Sequence, residues 1–322
     1  MTTAATEPSG QARRATTVAL VAAVLSGALV ALQQRINGEL KVELGDAGLT
    51  ALISFGTGLL VVLVVVAARP AARAAVWKVR AVPWPQRLGG LGGASLVIVG
   101  AAAAPEIGVA LLTIGLVAGQ TTGGLFVDKA GLGPSGSHPL TVPRMLGAGL
   151  CLVAVGVSVS GQGVRDASPL LLLCVAGAGV LIAVQQAFNG RIRQTTGNAA
   201  VATLVNFVVG TLALGVGVLV HTAVSGLEVG TWPGGDRWYL YLGGPFGAAF
   251  VAVAAVVVRR LGVLRLGLAL VSGQLVGALL LDLLLPVASQ DVDLRTVLGI
   301  VLTLVAVVVS GRPARRRPLV AV

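Results

Sequence analysis

Charge is what this sequence has least of. Only 11% of its 322 residues are Asp, Glu, Lys or Arg, against about a quarter in soluble globular chains. Aromatic residues make up 4%, and there are two cysteines and two histidines. Each shortage excludes something. No Gly-Lys pair occurs, so the chain has no phosphate-binding loop ending in Lys for ATP hydrolysis. His138 and His221 fall in loops or at span ends with no carboxylate and serine arranged around them, and Ser-rich "GLGPSGSHP" (131–139) is a Gly/Pro loop. The sequence reads as no enzyme and implies no cofactor or metal. Cys151 and Cys174 both lie in apolar runs with no metal-ligand spacing, and read as small packing residues.

Long apolar runs take the place of charge. Hydrophobic residues reach 56%, mean hydropathy is +0.94, and 45 glycines suit closely packed helices. This is a membrane-protein composition. A spanning helix needs roughly 20 apolar residues, and ten candidates appear: Thr16–Leu32, Gly48–Ala68, Leu88–Ala104, Gly108–Val127, Val142–Val159, Leu170–Ala187, Ala199–Val220, Trp238–Val258, Val263–Leu285 and Leu294–Ser310. The third and fourth are nearly continuous across "APEIG" (104–108). The first run ends in Gln-Gln-Arg rather than a small-residue cleavage site, so it reads as a retained helix.

The net charge of +11 could suggest nucleic acid. The basic residues, however, lie between apolar spans and interleave with no aromatic surface. Ten spans place all but five of the 23 basic residues on the side of both termini; the five are Arg35, Lys41, Arg165, Arg237 and Arg295. Lys and Arg are retained in the cytoplasm, so both termini are expected there. Trp77, Trp84, Trp232, Trp238, Tyr239 and Tyr241 fit interfacial belts. The basic stretch from Arg312 to Arg317 fits contact with anionic lipid.

The chain repeats itself. Residues 27–58 and 179–210 agree at 12 of 32 positions without a gap, among them Gln33/Gln185, Gln34/Gln186, Asn37/Asn189, Phe55/Phe207 and Gly58/Gly210. Further on, "GQTTGGLFVD" (119–128) matches "GQLVGALLLD" (273–282). Five spans per half is odd, so the second half must enter the membrane in the opposite sense. An inverted repeat of this kind is a transporter signature. The expected organisation is all-α: a cytoplasmic tail (1–15), a first five-helix repeat (16–160), an inverted second repeat (169–311) and a basic tail (312–322).

These residues carry a family resemblance. "LQQRINGEL", "ALISFGTG" and "GQTTGGLFVDKAGLG", repeated as "VQQAFNGRI", "TLVNFVVG" and "GQLVGALLLD", resemble the drug/metabolite transporter superfamily, and within it the YdcZ-type, EamA-like branch, from about Val18 to Ser310. Some members of that branch are single five-helix units that pair; this chain resembles the fused form. The resemblance implies a ten-helix secondary carrier of the bacterial inner membrane, often an exporter. The chain departs from the small multidrug members of the superfamily, whose first helix carries a glutamate. Val18 to Gln34 and Leu170 to Gln186 hold no carboxylate, so cation export by that route is not expected.

Polar residues inside spans are the candidate site, because a carboxamide in hydrocarbon must find partners or face a wet cavity. Gln120 and Gln274 lie nearest the midplane and, with Ser54 and Asn206, are expected to line the substrate pathway or to staple the halves together. Gln33, Gln34 and Asn37 fall at the outer end of span one, and Gln185, Gln186 and Asn189 at the cytoplasmic end of span six. The two sets, roughly 20 Å apart along the membrane normal, read as two equivalent gates or as caps for ending helices. Asp282, inside span nine, and its repeat mate Asp128 are candidate gating or coupling carboxylates. Glu106 reads as a turn residue.

The function expected is export of a small neutral or zwitterionic metabolite by a secondary carrier. Its partners would be substrate and membrane lipid, with self-association into a homodimer left open. The alternative is a membrane scaffold or sensory subunit with a transporter-like fold and no flux. A scaffold has no need of pseudo-symmetry, and the short loops leave little surface for partners.

Overall fold

The computed structural model describes residues 10–134, 136–137, 141–160, 168–226, 229–285 and 294–310, and through much of 252–268 the backbone path alone. His138, Arg165 and both terminal tails, 1–9 and 312–322, fall outside the described residues. The fold is all-helical among those residues. Five segments, 17–44, 47–68, 84–129, 169–196 and 199–225, are long and apolar enough to cross a membrane.

The two halves are built by the same local devices. Helix α1 (Gly10–Leu44) stops at Gly45, whose φ of +78° suits glycine. Asp46 then caps α2 (Ala47–Ala68), its Oδ1 accepting the Leu49 N–H at 2.5 Å. In the second half α7 (Pro169–Thr196) stops at Gly197, φ +71°, and Asn198 caps α8 (Ala199–Ser225) through the Ala200 N–H at 2.9 Å. These four residues match at the repeat's offset. They also correct the sequence reading of α1 and α7. Both helices run on through the Gln-Gln-x-x-Asn stretch for a further turn or more. The carboxamides lie inside helices, so they cap no helix end.

After α2, short helices α3 (Pro70–Val76) and α4 (Trp84–Arg87) carry the basic connection, where Arg80 stacks 4.6 Å from the Trp77 ring. Helix α5 (Gly90–Lys129) then contains expected spans three and four in one 40-residue element. Pro105 withholds a backbone donor, and Gly108 leaves helical geometry (φ 74°, ψ 159°). The chain folds back there: Gly92 lies against Leu181 of α7, and Gly123, 31 residues later, against Val180. Glu106 is thus helical, and the break falls two residues beyond it.

Helix α9 (Gly243–Leu284) is the counterpart. Expected spans eight and nine form this single element; Trp238 to Tyr241 belong to a preceding 3-10 segment instead. It also folds back, because Phe250 accepts the Ser26 hydroxyl at 3.2 Å while the Leu270 carbonyl lies against Gly27. A straight helix would hold those positions about 30 Å apart. The turn falls between Val257 and Ala269, which share a cluster with Ala19 and Ala23. Helix α6 (Val142–Val159) has the bounds read from the sequence, α10 is described over Leu294–Ser310, and the two pack on each other.

The halves interlock. Helix α1 packs mainly on α9, α7 on α5, and α2 on α8. Glycines let the backbones touch: Gly27 and Gly273 at the α1–α9 crossing, Gly179 and Gly119 at the α7–α5 crossing, each against a carbonyl of the other helix. Cys151 is buried near the Thr121 hydroxyl (3.8 Å), as expected of a packing residue. Cys174 is exposed on the outer face of α7, so it does not pack.

Candidate functional site

Two carboxamide clusters flank a central aromatic pair. In the middle, Phe55 of α2 and Phe207 of α8 meet at 5.0 Å between centroids, tilted by 36°. Gly210 lies under the Phe55 ring and Gly58 under Phe207, so each repeat supplies a ring and the glycine that seats its partner.

The first cluster joins Gln33, Gln34 and Asn37 of α1 to Ser54 of α2. All four are buried; Asn37 is 0% exposed and Gln34 1%. They rest on backbone without side chains: Gln34 on Gly100, Asn37 on Gly243, and Gln33 on Gly247. Both polar atoms of Gln34, both of Asn37 and the Ser54 Oγ have no hydrogen-bond partner among the described residues.

The second cluster is the repeat's copy. Gln185 and Asn189 of α7 meet Asn206 of α8, the Asn189 Nδ2 donating to Asn206 Oδ1 at 3.4 Å. A methyl group on Gly93 would lie 3.1 Å from Gln185 Oε1 and 3.3 Å from Asn206 Nδ2, and one on Gly89 3.4 Å from Asn189 Oδ1. Asn206 is buried, and Gln185 and Asn189 are partly exposed as residues, although Gln185 Oε1 and Asn189 Oδ1 are themselves buried without a hydrogen-bond partner among the described residues. Gln186, expected beside them, is exposed and stays out. The repeat register explains this: Gln34 sits on Gly100, whereas the matching position in the second half is Ala254. A cavity of about 520 Å³ opens on this side between α2, α8 and α9. Thr203 and Arg193, one turn from Asn206 and Asn189 respectively, line it, with Arg69.

Gln120 and Gln274 are not part of either cluster. Their backbones sit at the glycine crossings, next to Gly179 and Gly27. Their side chains are half-exposed and make no hydrogen bond among the described residues. Ser54 and Asn206 also separate, one into each cluster.

Asp282 has a definite task. Its buried carboxylate accepts the Val109 N–H at 3.2 Å and the Ala110 N–H at 2.7 Å. These are the first two amides after the break at Gly108, where a restarting helix leaves donors unpaired. An aspartate from one repeat thereby caps a helix of the other. Arg35 and Glu39 pair at 2.7 Å on α1. His221 stands 4.0 Å from Asp46, an exposed contact that the sequence reading did not foresee.

One motif was missed. Gly89-Gly90-x-x-Gly93-Ala94 recurs as Gly243-Gly244-x-x-Gly247-Ala248 and supplies the seats of both clusters. Its signal was a second run at the 154-residue offset of the Gln120 and Gln274 segments.

The family described as "Putative inner membrane exporter, YdcZ" matches the chain twice, at residues 18–159 and 170–309. The chain belongs to this family. Each match covers one half, so the YdcZ unit occurs here as a tandem pair, in agreement with the duplication. Membership makes this a multi-pass inner-membrane protein of the drug/metabolite transporter type, a transporter rather than an enzyme. Among solved structures, one titled "Crystal structure of protein" superposes with a TM-score of 0.58 over 92% of this chain and 96% of its own, at 21% identity, a likeness of fold alone. No curated protein matches the chain.

Proposed function

We propose that this YdcZ-type protein is a secondary active carrier that exports small neutral or zwitterionic metabolites across the bacterial plasma membrane. Ten spans would form two inverted five-helix repeats with both termini cytoplasmic. Alternating access would come from rocking of those repeats. The span count is supported by length: the 40 and 42 residues of α5 and α9 would measure about 60 Å if straight, twice the hydrocarbon core, and both fold back.

The observation that carries the mechanism is the unequal state of two equivalent clusters. Gln33, Gln34 and Asn37 are buried, while Gln185 and Asn189 are partly exposed as residues and a cavity lined by Thr203 and Arg193 opens one turn from their cluster. A chain with matched gates in opposite states is arranged as a carrier is in one half of its cycle, closed outside and open to the cytoplasm. Neither cluster holds a charged side chain, and this favours neutral or zwitterionic cargo.

Counterflow into proteoliposomes, run against a panel of metabolites, tests the proposal. At least one solute should exchange, and cross-linking the clusters shut should stop it. Absence of flux for every solute, with recovery of a stable protein complex, would favour the scaffold instead.

A further inference from the structure

We infer that Asp128 is a positioning residue that caps the cytoplasmic restart of α9 through the Val263 and Leu264 N–H groups. It would act as the counterpart of the observed Asp282 cap. The inference rests on the inverted-repeat reading above, but its test needs no transported solute.

Three observations lead to it. First, the Asp282 cap depends on a break at Gly108, whose following amides Val109 and Ala110 need acceptors. Second, the parts recur in the other repeat with the same spacing. Gly108, Val109 and Asp128 correspond to Gly262, Val263 and Asp282, each pair 154 residues apart. The fold-back of α9 lies between Val257 and Ala269, and Gly262 lies midway.

Third, the antiparallel register of α5 and α9 brings the two parts level. Ala110 is at Asp282, Ile114 shares a cluster with Leu275, and Val117 with Val271. Each step forward along α5 is a step back along α9. The same register, continued to the end of α5, sets Asp128 opposite Gly262. A helix that restarts there leaves donors for a carboxylate to accept. Each repeat would then supply the aspartate that holds the other's broken helix, Asp282 at the outer face and Asp128 at the cytoplasmic face. Loss of one cap should loosen its own face alone.

Hydrogen exchange on the full reconstituted chain tests this. Asp128→Ala should speed exchange of the Val263 and Leu264 amides roughly tenfold or more, the scale of a lost hydrogen bond to a charged group, and leave Val109 and Ala110 unchanged. Asp282→Ala should do the reverse. Asp128→Asn keeps one acceptor oxygen and should retain part of the protection. In a variant lacking Cys151 and Cys174, Asp128→Ala should also raise thiol labelling of a cysteine at Asn189 and not at Asn37. Unchanged exchange at Val263 and Leu264 in Asp128→Ala would overturn the inference, and so would equal acceleration at both sites.

Discussion

Replacing Asn37 with leucine should stabilise this protein and stop it working. Asn37 is fully buried, and neither its Nδ2 nor its Oδ1 has a partner among the described residues. A buried group left unpaired costs about 1–3 kcal/mol. Leucine has the same branched four-atom side chain, so it can occupy the seat on Gly243 with little strain. Asn37→Leu should favour the sealed arrangement by about 2 kcal/mol, roughly thirtyfold in population. The thermal unfolding midpoint should rise and counterflow should fall by a similar factor. Its repeat mate predicts a much smaller change. Asn189 donates to Asn206 while its own Oδ1 is buried and unpaired among the described residues, so Asn189→Leu relieves one unpaired acceptor and strands another, and should change stability by less than about 1 kcal/mol. Wild-type counterflow in Asn37→Leu, or a lowered midpoint, would refute the reasoning.

Two further outcomes follow from the packing. Gly119→Ala places a methyl group onto the Ala176 carbonyl, whereas Gly124 on the same helix faces open space; the first should lose about 1–3 kcal/mol in thermal unfolding, and Gly124→Ala should stay within about 0.5. Gln274→Leu should lose counterflow with an unchanged midpoint, because the side chain leaves no bonded partner behind; normal flux would remove Gln274 from the pathway.

Much of the fold could be read from the sequence, for physical reasons. The bounds of α6 follow from abrupt edges between apolar and polar composition. The Gly45-Asp46 and Gly197-Asn198 connections carry turn and cap chemistry in their residue types. The ends of α1 and α7 were misread because Gln33, Gln34 and Asn37 look unfit for a helix interior in hydrocarbon. They are tolerated because they turn inward onto Gly100, Gly243 and Gly247, and nothing local to α1 reveals those seats. Gln34 and Gln186 are identical in sequence yet differ in burial, since burial depends on a facing helix. The partners of Asp282 were also hidden: they are backbone amides, which no residue type advertises, and only Gly108 hints that they are unpaired.

Under the proposed alternation, the use of carboxamides rather than carboxylates in the two clusters has a physical reason. A group that is wet in one state and dry in the other must have similar free energy in both, or the cycle stops in the better one. A buried carboxamide without a partner costs a few kcal/mol, within the range of a thermally accessible switch. A buried, unpaired charge costs far more. Gln33, Gln34 and Asn37 can therefore close on bare glycine backbone and open again without a compensating ion. The carboxylate of Asp282 is placed where that freedom is not needed, bonded to two amides at a helix start. In the proposed cycle the moving faces would carry neutral amides, and the joint between the repeats the charge.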